Sequence, residues 1–301
     1  MTWLQIKARI SDTEAPLMEL LFQSLGAVSV TLLDAEDEPV FQLDPGSTPL
    51  WQQTMLCALF EHDVVAGEAE EAEEIVLAIT AASRLQADDL IIETIKDQDW
   101  ERAWMDTFKP MRFGRRLWVC PSWCPPPDPD AVNLLLDPGL AFGSGTHPTT
   151  ALCLEWLDAQ NLQHKRVIDY GCGSGILAIA AVLLGANEVV AVDNDAQAII
   201  SCGNNRDMNG IAAARLTVHL PGEKHAPADI VVANILSGPL EELTPVLTSL
   251  TKPGGSLILS GVLSEQTESL LASYRPWFDM QAPVIRDEWV RVEGTRLCGQ
   301  S

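Results

Sequence analysis

The chain has 301 residues, 47% of them hydrophobic and 20% charged, with a formal net charge of −23. That length suits two domains, and that composition supports a folded core and excludes gross disorder. The acidic excess disfavours direct binding to nucleic acid; it is compatible with basic partners or with solubility alone.

Residues 3–10 alternate in polarity and predict a strand. An amphipathic helix is expected over Thr13–Leu25, closed by Gly26. Strands follow at Val28–Leu33 and Met55–Phe60, separated by a turn-rich insert around Asp44-Pro45-Gly46. Glu68–Arg84 reads as a helix that is acidic in its first turns, where the helix dipole favours carboxylates, and Leu90–Ile95 as a strand. The order β-α-β-β-α-β predicts an α+β ferredoxin-like domain over residues 1–96. It carries no recognisable chemistry, and the fold alone does not assign it a role. Residues 97–113 read as a helical linker in which Trp100 and Trp104 share one face.

From residue 114 the pattern alternates between strand and helix. Leu117–Val119 and Val132–Leu136 are expected strands, with a stiff loop at Pro125-Pro126-Pro127 between them. Then come helix Pro148–Leu157, strand Val167–Ile168, helix Ile176–Leu184, strand Val189–Val192, helix Ala196–Asn209, and strands Leu216–His219 and Ile230–Ala233. Helix Pro239–Leu250, strand Ser256–Ser260, helix Glu265–Ser273 and a last strand at Trp289–Leu297 complete a doubly wound α/β sheet over residues 114–301.

Four segments carry chemistry. Val-Ile-Asp169-Tyr-Gly171-Cys-Gly173-Ser-Gly175 is a strand, a glycine turn and a helix start, the layout of a nucleotide crevice. Gly171 and Gly173 permit a sharp bend and close approach to a ligand, and Gly175 permits the next helix to pack close to the strand. The order D-x-G-x-G-x-G points to S-adenosylmethionine rather than to a nicotinamide cofactor. Asp169 is placed to help hold the ammonium end of that molecule. Asp193 ends the next strand 22 residues after Gly171, the place for a carboxylate on the ribose hydroxyls. Asp195 fits the following helix cap, which leaves Asp193 for the ligand. Asn234 follows a buried strand, where its amide can accept from an incoming amine. The loop Asp137–Thr150 is glycine-rich and enters a helix at Pro148. His147, at that helix start, reads as structural rather than as a base. An apolar acceptor pocket around Phe142, Ile235 and Leu236 is expected.

These segments resemble the ribosomal protein L11 methyltransferase family (PrmA), and the resemblance extends over nearly the whole chain. It implies a class I S-adenosylmethionine-dependent methyltransferase domain behind a ferredoxin-like, substrate-recognising domain. It implies cofactor contacts at Thr150, Gly171, Asp193 and Asn234, with methylation of lysine and α-amino groups of a basic ribosomal protein. Ser144, where the family commonly has Thr, and Asn194-Asp195-Ala196 depart from the family pattern. The residues leave open a methyltransferase of another protein or a small molecule, an NAD-dependent oxidoreductase, or a binding scaffold.

Seven cysteines, an odd number without framework spacing, read as reduced thiols. The C-x3-C pair Cys120 and Cys124 has no companion ligands, so no metal is expected. The N-terminus has no signal-peptide pattern and the longest apolar run is too short for a membrane span, so a cytoplasmic protein without a membrane partner is expected.

Overall fold

A computed structural model describes residues 2–36, 53–62, 68–96, 108–137 and 147–299. Trp100, Trp104, Phe142 and Ser144 lie outside these described residues. The chain divides into two compact units, Met1–Thr107 and Phe108–Ser301.

The front unit runs β1 (Thr2–Ser11), α1 (Ala15–Ser24), β2 (Ser29–Asp34), β3 (Gln53–His62), α2 (Glu68–Ala82) and β4 (Leu90–Lys96). Its sheet has the order β2-β3-β1-β4, antiparallel at every pairing, which is the ferredoxin-like arrangement expected. Alternation along β1 sends Leu4, Ile6, Ala8 and Ile10 into a core with Leu56, Ala58 and Phe60 of β3. Met18 and Phe22 of α1 and Ile79 of α2 close that core from the other side. Full burial of each of these leucine, isoleucine, methionine and phenylalanine side chains contributes roughly 1.5–3 kcal/mol.

The second unit begins with strand β5 (Met111–Phe113), β6 (Leu117–Cys120) and β7 (Val132–Leu135), which form a separate three-stranded sheet. Met111–Phe113 is therefore not the end of a helical connector: it pairs with Leu117–Val119, and Phe113 is buried in the core. The rest of that connector, 97–107, lies outside the described residues. The main elements follow as α3 (Pro148–Ala159), β8 (Arg166–Tyr170), α4 (Ile176–Leu183), β9 (Glu188–Val192), α5 (Ala196–Met208), β10 (Leu216–His219) and β11 (Ala228–Asn234). Then come α6 (Ser237–Glu242), α7 (Thr244–Leu250), β12 (Thr251–Leu263), α8 (Thr267–Tyr274), β13 (Phe278–Met280), β14 (Val284–Arg286) and β15 (Trp289–Arg296).

The main sheet has the order β10-β9-β8-β11-β12-β15-β13, with β14 paired to β15. The first five strands are parallel, and β15 inserts antiparallel beside β12. This is the doubly wound, Rossmann-like class I methyltransferase layout. Adjacent residues of β8 feed opposite layers, Val167 packing in the core under α3 and α4 and Ile168 in the core under α7 and α8. The single helix expected over Pro239–Leu250 is two, broken at Leu243. Pro245 is the cause: it lacks an N–H and its ring crowds the carbonyl four residues back, so it suits only a first helical turn. Strands β13 and β14 span three residues each, too few for alternation to reveal.

Candidate functional site

The strand order reverses between β8 and β11, and ligands of open α/β sheets bind at the carboxyl edge of such a switch. Register sets Val232 of β11 opposite Asp169 of β8, and Val192 of β9 opposite Tyr170. Asp169, Asp193 and Asn234, far apart in sequence, thus share one edge.

Asp169 is buried, and its Oδ2 accepts the Ala178 N–H at 3.0 Å. Ala178 lies in the first turn of α4, whose N-cap is Gly175, a residue with no side chain for capping. The strand supplies the missing cap. Oδ1 of the same carboxyl is buried and has no hydrogen-bond partner among the described residues. Burial, opposed by the Ala178 N–H and reinforced by nearby Asp193, pushes this carboxyl up to about 7.

The glycine turn is built for packing as much as for a ligand. Gly171 has φ +81°, and a Cβ there would sit 2.2 Å from Ile235 Cγ2. Its N–H donates to Val192 O at 2.7 Å. A Cβ on Gly175 would sit 2.4 Å from Cys202 Sγ of α5. The close approach Gly175 permits is therefore between two helices, rather than between helix and strand. The Cys172 thiol, hydrogen-bonded to Cys202 and buried, is pushed far up in pKa and supplies no thiolate.

Asp193 follows β9 at the same edge and is not free, as the sequence suggested. Its Oδ2 accepts the Gly173 N–H at 2.8 Å, and its Oδ1 accepts the Asp195 N–H at 3.0 Å. A carboxylate has about four acceptor positions, so capacity remains for further donors. Asp195 is the α5 cap, accepting from the Gln197 N–H at 2.8 Å, as expected.

Asn234 ends β11, and its Nδ2 donates to Thr150 Oγ1 at 3.3 Å. Thr150 is buried in the first turn of α3. That helix is fastened to the β14–β15 hairpin: Trp156 Nε1 donates to Glu293 at 2.7 Å, Arg286 pairs with Glu155 at 2.7 Å, and Arg291 donates to Leu152 O at 3.3 Å. His147 caps α3 through Nδ1, and its ring stands edge-on to Trp289 with centroids 4.7 Å apart. Burial lowers its pKa; the capping bond and the ring contact are what give it a structural role. Asp137, at the start of the loop into α3, accepts from both the N–H and the hydroxyl of Ser122 at 2.7 Å. Of the expected acceptor pocket, Ile235 is half-buried against Gly171 and Leu236 is exposed.

Two supports were not anticipated. Gly261 interrupts β12 at a register shift, and a Cβ there would meet Ile235 O at 2.3 Å. The available signal was a glycine directly after the expected strand Ser256–Ser260, with apolar residues resuming beyond it. Asn205 of α5 donates to Ser174 O at 2.8 Å, tying the second helix to the glycine turn; no local pattern marks it.

The site fits the methionine end of S-adenosylmethionine. A buried carboxyl oxygen without a partner, beside another carboxylate, is matched by a cationic donor, which would also return Asp169 to its ionised form.

A family model described as Ribosomal protein L11 methyltransferase (PrmA) matches residues 2–297. A relative named ribosomal protein L11 methyltransferase from Pseudomonas putida (strain GB-1) is 53% identical over 299 residues, 98% of this chain and 100% of that one. One of the same name from Azotobacter vinelandii is 53% identical over 297 residues, 98% of this chain and 100% of its own. A crystal structure of a ribosomal protein L11 methylase from Lactobacillus delbrueckii subsp. bulgaricus is 30% identical with a TM-score of 0.57, covering 63% of this chain and 100% of that one. The chain belongs to the ribosomal protein L11 methyltransferase family and is a methyltransferase.

Proposed function

We propose that this enzyme transfers methyl groups from S-adenosylmethionine to lysine and α-amino groups of ribosomal protein L11 in the cytoplasm. The observation that carries the reading is the meeting of Asn234, Thr150 and the half-satisfied Asp169 at the switch edge of the sheet. Asp169, Gly171, Gly173, Asp193, Thr150 and Asn234 are the residues that would hold the cofactor. When bound, that cofactor supplies a methyl group already activated on a sulfonium, so positioning of the acceptor does most of what remains.

The acceptor nitrogen must be neutral. Deprotonating a lysine at pH 7 costs about 4.6 kcal/mol and an α-amine about 1.4 kcal/mol. A carboxylate beside the amine would raise that cost, because it favours the ammonium. Asn234 is an uncharged acceptor. With Nδ2 given to Thr150, its Oδ1 is left to receive an amine N–H and aim the lone pair. The front unit captures the basic substrate, and neither nucleic acid nor membrane is a direct partner.

The test is transfer of labelled methyl from S-adenosylmethionine to purified ribosomal protein L11. Asn234→Ala should lower kcat/KM by about 100-fold, on the order of a lost oriented donor or acceptor, with an unchanged far-ultraviolet spectrum. Absence of transfer by the natural enzyme sinks the acceptor assignment, and absence of cofactor binding sinks the donor assignment.

A further inference from the structure

Strand β11 ends at Asn234, and the next two residues lead straight into α6. Steric fit holds that exit on both sides. On one side the Cγ2 methyl of Ile235 lies over Gly171, where a Cβ would sit 2.2 Å from that methyl and 3.7 Å from Ile235 Cβ. On the other, the Ile235 peptide lies on Gly261, where a Cβ would meet its O, C and N at 2.3, 2.8 and 3.0 Å. Gly261 has φ +87° and follows Ser260, which pairs with Asn234 across the sheet. Ser260 is buried and donates its hydroxyl to Val290 O at 2.9 Å, bridging β12 to β15 where their register shifts. The Gly171 side is held as well: the N–H groups of Gly171 and Cys172 both donate to Val192 O, at 2.7 and 3.1 Å. Ile235 is therefore a wedge between the glycine turn and β12, with Asn234 as its chain neighbour.

We propose that Ile235 is a positioning residue that couples the glycine turn to the Asn234 amide, so that a cofactor seated in the turn fixes the angle at which the amide meets the acceptor amine. The inference rests on the reading above that Asn234 Oδ1 receives that amine, and it names what aims the oxygen. The contact with the turn is made by a branch at Cβ. Such a methyl moves with the backbone, because χ1 of isoleucine is stiff. Close-packed surroundings pass a displacement on rather than absorb it, so a shift at Gly171 reaches the peptide that follows Asn234. The amide's bond to Thr150, at 3.3 Å, is long and leaves its tilt to be set by the backbone. Leu236, the other apolar residue of this exit, is exposed and supplies no second wedge.

The experiment uses the full chain with S-adenosylmethionine and purified ribosomal protein L11. Ile235→Leu keeps volume and apolarity and moves the branch from Cβ to Cγ, a swap that packed sites tolerate. It should lower kcat about 10-fold, as a misplaced reacting group does, and leave Tm and the calorimetric affinity for S-adenosylmethionine nearly unchanged. Ile235→Val keeps both branches at Cβ and should retain kcat. In an Asn234→Ala background Ile235→Leu should cost less than about 2-fold, because a residue acting through Asn234 then has nothing to place. Natural kcat in Ile235→Leu overturns the coupling and leaves the proposed function standing. So does an undiminished loss in the Asn234→Ala background, which would mean that Ile235 acts elsewhere. A fall in Tm or in cofactor affinity large enough to explain the lost kcat, and shared by Ile235→Val, makes Ile235 a packing residue and overturns it too. Natural kcat in Asn234→Ala alone, or no methylation by the natural enzyme, removes the reading of Asn234 and this inference with it.

Discussion

The two units divide their properties unequally. Met1–Thr107 carries a net charge of −17, and Phe108–Ser301, nearly twice as long, carries −6 from 14 basic and 20 acidic residues. The front unit holds its identity in shape and charge, both of which many sequences could supply. The second holds it at single atoms: a carboxyl oxygen, an amide, a missing Cβ. Binding of a protein surface tolerates diffuse means because the energy is spread over area, whereas placing a reacting centre does not.

The comparison breaks most sharply at Gly171. Gly171→Val adds both a forbidden φ and a clash with Ile235, so it should abolish cofactor binding and destabilise the second unit by about 3 kcal/mol or more. Scanning calorimetry should place the loss in that unit and leave the front unit's transition where it was. A tolerated valine would remove the turn from the site.

Asp193→Ala comes next. It deletes acceptors for the Gly173 and Asp195 N–H groups as well as the proposed ribose contact. Titration calorimetry should show cofactor affinity weakened about 100-fold, against a stability loss of about 1–3 kcal/mol for the unsatisfied donors. Unchanged affinity would refute the ribose assignment.

Asp169→Asn should trade function for stability. The carboxyl's folded pKa, about 7, lies above its unfolded value. Between pH 4 and 7 the native state therefore holds a proton the unfolded state has lost, and stability falls as pH rises through that window. Asparagine keeps an acceptor for Ala178 and carries no charge. The ligand-free variant should match the natural enzyme near pH 4 and exceed it by about 1–3 kcal/mol at pH 8. Cofactor affinity should fall. Parallel pH-stability curves would mean the carboxyl is solvated after all.

The smallest effect tests the front unit. If its charge steers a basic substrate, kcat/KM on the protein should drop several-fold between about 50 and 300 mM salt, as screening shortens the reach of the field. kcat should stay level. A flat profile would leave the charge as a solubility feature.

Legibility in the sequence followed the same division. Gly171, Asp193 and Asn234 could be placed at one sheet edge because strand ends and turns fix them locally, and β11 was readable from its apolar run. The three-residue strands β5, β13 and β14 were not, since they exist through pairing with distant partners. Nor was the engagement of Asp193 with Gly173, because sequence indicates which groups reach an edge and not what they already hold. The break at Leu243 was available in Pro245 and was outweighed by the apolar periodicity around it.

Every residue proposed to touch the cofactor lies before position 235, yet α3, which positions Thr150, is fastened by Glu293, Arg286 and Arg291. Glu293 and Arg291 lie on β15, which fills the gap between β12 and β13, and Arg286 lies on β14, which pairs with it. A chain emerging from the ribosome therefore carries the full set of motifs long before it can orient them. The anchoring of Thr150 thus waits for β15 to be threaded into the sheet, so residues 289–296 must be made before the earlier motifs are held in place.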